Sequence, residues 1–287
     1  MTHTKFCELK DRILININGP DAVVFLHGLV TCDVENLNTG DITFGALLSP
    51  QGKILFDFFI IKSVDGFMLD IDKSMSDDFL HKLKFYKLRA DIEVSQVSEK
   101  TKVFAVFGGE IEEIKTIEVD GICVPDPRLN KLGSRAYINR VPADFSVVEH
   151  SEYVALRNLH GMPSGGTDFI FGDTFPHEAL MDQFGGVDFK KGCYIGQEVV
   201  SRMQHRGTAR KRFISAISQA NMPDIGTEIV VKGKTVGKIV SKSDKNAIAL
   251  IRMDKAASTV LDDGSILAGS TAIKLHIQEW AKFNWPT

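Results

Sequence analysis

Residues 189–212 read FKKGCYIGQEVVSRMQHRGTARKR. Gly192 and Gly196 bracket Cys193, and glycine permits close backbone approach or positive φ. Gln197 to Met203 is expected to open a helix. The turn before it then presents free backbone N–H groups, a natural anion site. Lys190, Lys191 and a helix N-terminus are surroundings that favour a thiolate. These residues leave several readings of Cys193 open: a reactive thiolate, a metal or cluster ligand, a residue packed against a ligand, or a buried structural thiol. Arg202, His205, Arg206, Arg210, Lys211 and Arg212 continue as a dense basic run. Such a run is either a solvated positive face or a site for a polyanion, a polyglutamate tail or RNA phosphate. It lacks the interleaved aromatics of an RNA-stacking platform.

Outward from this stretch the chain is ordinary for a globular protein, with 44% hydrophobic and 25% charged residues in 287. The 34 basic and 37 acidic residues give a net charge of -3. That balance exerts no global pull on nucleic acid or membrane, so no membrane partner is expected. The start, MTHTKFCELKDRILININ, has neither the apolar run of a secretory signal nor the Arg-rich character of a transit peptide. The expected location is therefore cytoplasmic. Cys7, Cys32, Cys123 and Cys193 are widely and irregularly spaced, which implies neither a disulfide framework nor a zinc site. The first three read as small buried apolar side chains.

Arg12 to Asn18 alternates as a strand, and Gly19-Pro20-Asp21 leads into a helix that starts at Ala22 and ends near Thr31-Cys32-Asp33. Phe44–Leu48 and Lys53–Ile61 read as strands around the hairpin turn Ser49-Pro50-Gln51-Gly52. FMLDI follows a second turn, Ser76–Leu88 reads as a helix, and IEVSQV and KVFAVFG read as strands. Residues 108–122 are acidic and show no pattern, Ala136–Arg140 reads as a strand, and Ser146–Leu159 as a helix stopped at Gly161-Met162-Pro163. Residues 164–192 form a long Gly-rich irregular region, and such loops often carry function. Hairpins without regular βαβ units predict an α+β fold. After Arg212 short β-like runs separated by Gly, Asp and Asn predict a small all-β barrel or sandwich. The expected division is 1–212 for the α+β core, with two intertwined subdomains allowed, and 213–287 for the barrel.

Two further clusters carry chemistry. Glu178, in Asp173-Thr174-Phe175-Pro176-His177-Glu178 with Asp182 beyond it, is either a surface acid or an acceptor for a heterocycle bearing an amino group beside a ring N–H. Asp57 stands on the otherwise apolar strand ILFDFFI, so it is paired, protonated or facing a cavity.

The segment KGCYIGQEVVSR resembles the signature of the YgfZ family, folate-binding relatives of the glycine-cleavage T-protein. Val30–Val34 with Leu37 and Gly40, Leu47–Ile60, Arg157–Asp168 and FPHEALMD resemble other blocks of that family, in order. The resemblance implies a T-protein-like, pseudo-symmetric folate-binding core followed by a small β-barrel. It implies tetrahydrofolate or a one-carbon derivative as cofactor. It also implies support of assembly or repair of iron–sulfur enzymes, 4Fe–4S and tRNA-modifying ones included, with those enzymes or cluster-assembly proteins as partners and tRNA as a further one. On this reading Cys193 is the functional thiol, and Glu178, Lys191, Tyr194, Gln197, Glu198 and Arg202 bind cofactor. Asn158 and Ser164 depart from the family wording. Asp57 has Phe56 where T-proteins carry a second aspartate, which argues against glycine-cleavage aminomethyl transfer. An aminomethyltransferase of T-protein type and a tRNA-binding module are the alternatives.

Overall fold

The computed structural model describes residues 4–207, 209–262 and 264–286; Thr208, inside the basic run, lies outside them. The chain forms two compact units that are discontinuous in sequence. One comprises residues up to His150 plus Phe184–Val199, and the other comprises Ser151–Gln183 plus Val200 onward. The second unit thus takes in the barrel together with the helix and loop before the signature, a different grouping from the single cut at 212/213.

The first unit runs β1 (Lys5–Glu8), β2 (Arg12–Asn18), α1 (Ala22–His27), β3 (Ile42–Leu48), β4 (Ile54–Lys62), β5 (Gly66–Asp72), α2 (Ser76–Lys87), β6 (Glu93–Gln96), β7 (Lys102–Phe107), α3 (Ile111–Lys115), β8 (Gly121–Pro125), β9 (Ser134–Ile138) and β10 (Ser146–Val148). These strands make two five-stranded sheets, ordered β3-β4-β5-β2-β6 and β10-β1-β7-β9-β8. The α+β expectation holds. Helix α1 is shorter than expected and ends at His27, where Gly28 follows. Residues 146–148 form a strand rather than the start of a helix: the Ser-Val-Val run pairs in parallel with β1, and β-branched residues favour that pleated surface.

The core of the first sheet is aromatic. The ring of Phe79 on α2 meets Phe56 and Phe58 of β4 at centroid distances of 5.1 and 5.5 Å. Phe79 and Phe58 are fully buried, so truncating Phe79 would cost about 3–5 kcal/mol. Charge also enters this unit. Asp70 of β5, fully buried, accepts from Arg12 Nε and Arg135 Nη1, each at 2.6 Å, and from the Tyr137 hydroxyl at 3.2 Å. Arg135 and Tyr137 belong to β9, so one carboxylate ties the two sheets together. A buried acid in an apolar interior requires such partners.

The second unit runs α4 (His150–His160), the irregular segment through Gln183, α5 (Gln197–Arg206), β11 (Lys211–Ile217), β12 (Glu228–Val231), β13 (Lys234–Ser243), β14 (Asn246–Arg252), α6 (Met253–Leu261), β15 (Ile266–Ala268), β16 (Thr271–Ala272) and β17 (Lys274–His276). Helix α5 begins in the first unit and continues into the second. The seven strands pair in the order β16-β15-β12-β13-β14-β11-β17 around a core of Ile214, Ile229, Ile239, Ala249 and Ile251. Helix α6 was not foreseen in the expected all-β barrel. Its buried Met253, Ala256 and Ala257 fall at helical spacing inside what reads as a turn region. After β17, Gln278 Nε2 donates to the Gly161 and Phe213 carbonyls, and Trp280 Nε1 donates to the His160 carbonyl. These bonds fasten the tail to the end of α4.

Candidate functional site

In the first unit the turn Ser49-Pro50-Gln51-Gly52 and the turn before α5 pack against each other. Gly52 and Gly196 both have positive φ, +79° and +81°. A Cβ on Gly196 would stand 2.6 Å from the Ser49 carbonyl oxygen and 3.1 Å from the Gly52 Cα; one on Gly52 would stand 3.0 Å from Val199 Cβ. Each glycine is needed both for its backbone conformation and for the close approach. Two motifs remote in sequence are thereby one feature in space.

Cys193, free and exposed, sits in that turn. Its neighbour Lys191 points elsewhere. The Lys191 ammonium donates to the carbonyls of His27, Val30 and Cys32 at 2.7, 2.6 and 2.9 Å. These carbonyls follow the end of α1, where orphan acceptors need donors and positive charge is favourable. All three ammonium hydrogens therefore have acceptors, which leaves none for a ligand. Lys191 thereby clamps the α1 terminus to the signature turn. Burial holds its pKa below the ordinary lysine value, opposed by the nearby Asp33 carboxylate. Burial pushes the Cys32 thiol up to about 12, which keeps it protonated beside that ammonium. Asp188 orders the same turn: its Oδ1 accepts from the N–H groups of Lys190 and Lys191.

Tyr194 is buried, and among the described residues its hydroxyl has no hydrogen-bond partner. Burial, with Asp188 adding to it, pushes its pKa up to about 12. Gln197 is half-buried at the first position of α5, and Glu198 is exposed in its first turn, where a carboxylate suits the helix N-terminus. The helix expected there is present.

Asp57 is buried on β4, opposite Ala46 of β3. By strand alternation it shares a face with Phe59. The Phe59 ring carries the Arg135 and Arg128 guanidiniums at 3.6 and 4.7 Å from its centroid, and Phe44 packs on it edge-on at 4.8 Å. Burial opposes ionisation of Asp126, yet the bidentate Arg128 guanidinium holds its carboxyl below the ordinary aspartate range. The sequence reading missed Asp70, Asp126, Arg128 and Arg135. The signal that singled out Asp57, an acid on an apolar strand, is equally present for Asp70 in GFMLDID.

Glu178 and Arg202 lie in the second unit. Glu178 Oε2 accepts from the Phe175 N–H at 3.0 Å, and its carbonyl accepts from the Phe213 N–H. With Phe175, Met203, Arg210, Lys211 and Arg252 it lines a cavity of about 180 Å³. Arg202, His205, Arg206, Arg210 and Lys211 are exposed. Arg212 is different: it is buried, pairs bidentately with Asp182 at 2.9 and 2.8 Å, and donates to the His177 carbonyl. It braces the FPHEALMD segment and is no part of a polyanion surface. Among the described residues no group of three or more His, Cys, Asp or Glu is placed to hold a metal ion, and no helix is long and apolar enough to cross a membrane.

Residues 3–117 match the GCVT N-terminal domain, and residues 210–283 match the CAF17 C-terminal beta-barrel domain. The crystal structure of glycine cleavage system aminomethyltransferase T from Bartonella henselae superposes with a TM-score of 0.75 at 16% identity, covering 99% of this chain and 88% of that one. The chain has the GCVT fold with a CAF17-type barrel. The fold implied by the YgfZ resemblance is thus present. Among proteins similar to this GCVT-fold chain are three carrying the name iron-sulfur cluster assembly factor IBA57, mitochondrial, two of them as homologs. The one from Pyricularia oryzae is 33% identical over 74% of this chain and 57% of its own length. The one from Dictyostelium discoideum is 30% identical over 73% and 61%, and the human one 27% over 97% and 85%. The chain therefore spans under two thirds of the first two relatives. These names overturn the cytoplasmic expectation, since all three relatives are mitochondrial proteins. Location is written in address segments read by receptors, so the mixed acid and base of residues 1–18 was a poor guide.

Proposed function

We propose that this chain supports the assembly or repair of iron–sulfur clusters, 4Fe–4S enzymes among them, and does so as a folate-binding protein. The exposed Cys193 thiol, in a turn held by Lys191 and by the Gly52–Gly196 contact, is the observation that carries this reading. The similarity to proteins named as cluster assembly factors supports it. A cluster takes about four protein ligands. Cys193 alone offers one, so the remaining ligands belong to a client enzyme or an assembly protein, with the cluster as cargo.

A folate presents a flat amino-substituted heterocycle and an anionic glutamate tail. The cavity at Glu178 suits these groups in kind: a carboxylate acceptor beside Phe175 and Met203, with Arg210, Lys211 and Arg252 supplying positive charge. Its volume of about 180 Å³ takes a part of such a molecule. Tetrahydrofolate, when bound, supplies nitrogens that carry one-carbon units; Glu178 would hold the heterocycle, and the cations the tail. The test is rescue of a deletion strain by wild type and Cys193→Ala, scored on several 4Fe–4S enzymes and on enzymes without clusters, with tetrahydrofolate affinity measured for both proteins. Lost rescue of cluster enzymes with folate affinity retained supports the reading. Full rescue by Cys193→Ala removes the thiol from it, and no folate binding by either protein removes the cofactor.

A second reading, tetrahydrofolate-dependent aminomethyl transfer, is favoured by the fold match and by the buried Asp57. Methylene-tetrahydrofolate formed from an aminomethyl donor, and abolished by Asp57→Asn, would support it. No product under conditions where a T-protein turns over would end it.

A further inference from the structure

Helix α2 buries Phe79 and Leu83 and leans Leu80 and Tyr86 on the same core. Its outer stripe, at spacings of three and four, is His81, Lys84, Phe85 and Leu88. A solvated helix face is normally polar throughout. Here Phe85 is 67% exposed and Leu88, which caps the helix, is 88% exposed. Lys82, Lys84, Lys87 and Arg89 flank them, and among the described residues none of these four forms an ion pair. Lys82 Nζ stands 5.8 and 5.6 Å from the ring centroids of Phe85 and Tyr86. The acids of the helix, Asp77 and Asp78, sit in its first turn, at the far end; the next acid along the chain is Asp91.

Leu88 adds a second, independent observation. Its φ of 43° and ψ of −103° lie where an L-residue is strained and glycine is not. A leucine kept at such a position, with its side chain in solvent, gains no packing inside the fold. Backbone strain of this kind is retained where the residue serves something outside local packing.

We propose that this helix end is a docking surface for an anionic lipid bilayer. The two apolar side chains protrude from a helix end whose four cations form no ion pair among the described residues. A bilayer interface takes up protruding apolar side chains while cations meet the headgroup phosphates. The overall charge of -3 gives no general attraction to such a surface, so the attraction is local to this patch. The earlier expectation of no membrane partner followed from that overall balance; it does not bear on a patch with four cations between residues 81 and 90. This inference is independent of the reading of Cys193.

The test is co-sedimentation of the full chain with vesicles of phosphatidylcholine alone and of phosphatidylcholine mixed with phosphatidylglycerol. Binding to the mixed vesicles, weakened by salt and about tenfold by Lys84→Glu with Lys87→Glu, is expected. Leu88→Gly removes the side chain and relieves the strained backbone, so it should lose binding about tenfold while its thermal midpoint holds or rises. Failure of the wild type to bind mixed vesicles overturns the proposal. So does equal binding after Phe85→Ser with Leu88→Gly, or binding to polyglutamate in place of vesicles, which would mark an acidic protein as the partner.

Discussion

Gly52 and Gly196 meet back to back, so that a Cβ on Gly196 would stand 3.1 Å from the Gly52 Cα and 2.6 Å from the Ser49 carbonyl oxygen. The hairpin turn and the cysteine turn are therefore held by a contact that admits no side chain. Gly196→Ala combines a positive-φ penalty with a backbone clash. It should lower stability by about 1–3 kcal/mol in urea denaturation. Gly192→Ala, where a Cβ would meet nothing within 4 Å, is the control and should stay near wild type.

Cys193 should be the first thiol to react. Cys7 and Cys32 are buried, and burial pushes the Cys123 thiol up to about 11. A disulfide reagent at neutral pH should label one thiol rapidly in the native protein and none rapidly in Cys193→Ser. Because Cys193 is exposed, that variant should stay within about 0.5 kcal/mol of wild-type stability. Rapid labelling that persists in Cys193→Ser would show that a second thiol is accessible.

Asp182 and Arg212 test whether the end of the basic run is structural. Asp182→Ala leaves the Arg212 guanidinium buried without its carboxylate, and should cost about 3–5 kcal/mol. Arg210→Ala, on an exposed side chain, should cost little. Comparable stabilities for the two variants would contradict the assignment of Arg212 to the fold.

His177 predicts an acid sensitivity with a defined sign. Burial holds its imidazole below the ordinary histidine value, against an opposing pull from Asp182 and the Gln204 hydrogen bond. The unfolded chain then binds a proton near pH 6.5 that the folded chain refuses until lower pH. The stability contribution is complete above about pH 6.5 and is lost as pH falls through the folded value, with a slope of at most about 1.4 kcal/mol per pH unit. His177→Gln should flatten that slope in denaturation curves recorded across the window. His276, which burial shifts the same way, is present in both proteins and cancels in the difference.

Much of the fold was legible in the sequence because its signals are local. The alternation of RILININ set β2 at Arg12–Asn18, and the glycine and proline of SPQG set the β3–β4 hairpin. The apolar spacing of Phe79 and Leu83 set α2, and Gly196 set the start of α5. What failed locally was α6 and the strand at Ser146–Val148, where short segments take their state from what they pair with or pack against.

The sequence by itself determined the order of elements, the cysteine between two glycines and the basic run after it. Only the tertiary structure decided what those charges do. Lys191 reads as a cation beside a thiol, yet three carbonyls around the end of α1 take its hydrogens. Arg212 reads as the end of a basic face, yet Asp182 takes it into the interior. Asp70 reads as a strand residue, yet Arg12 of its own sheet and Arg135 of the other make it the tie between the two. The physical reason is common to all three. A buried charge requires partners, and those partners are chosen by the fold from residues that the linear sequence keeps apart.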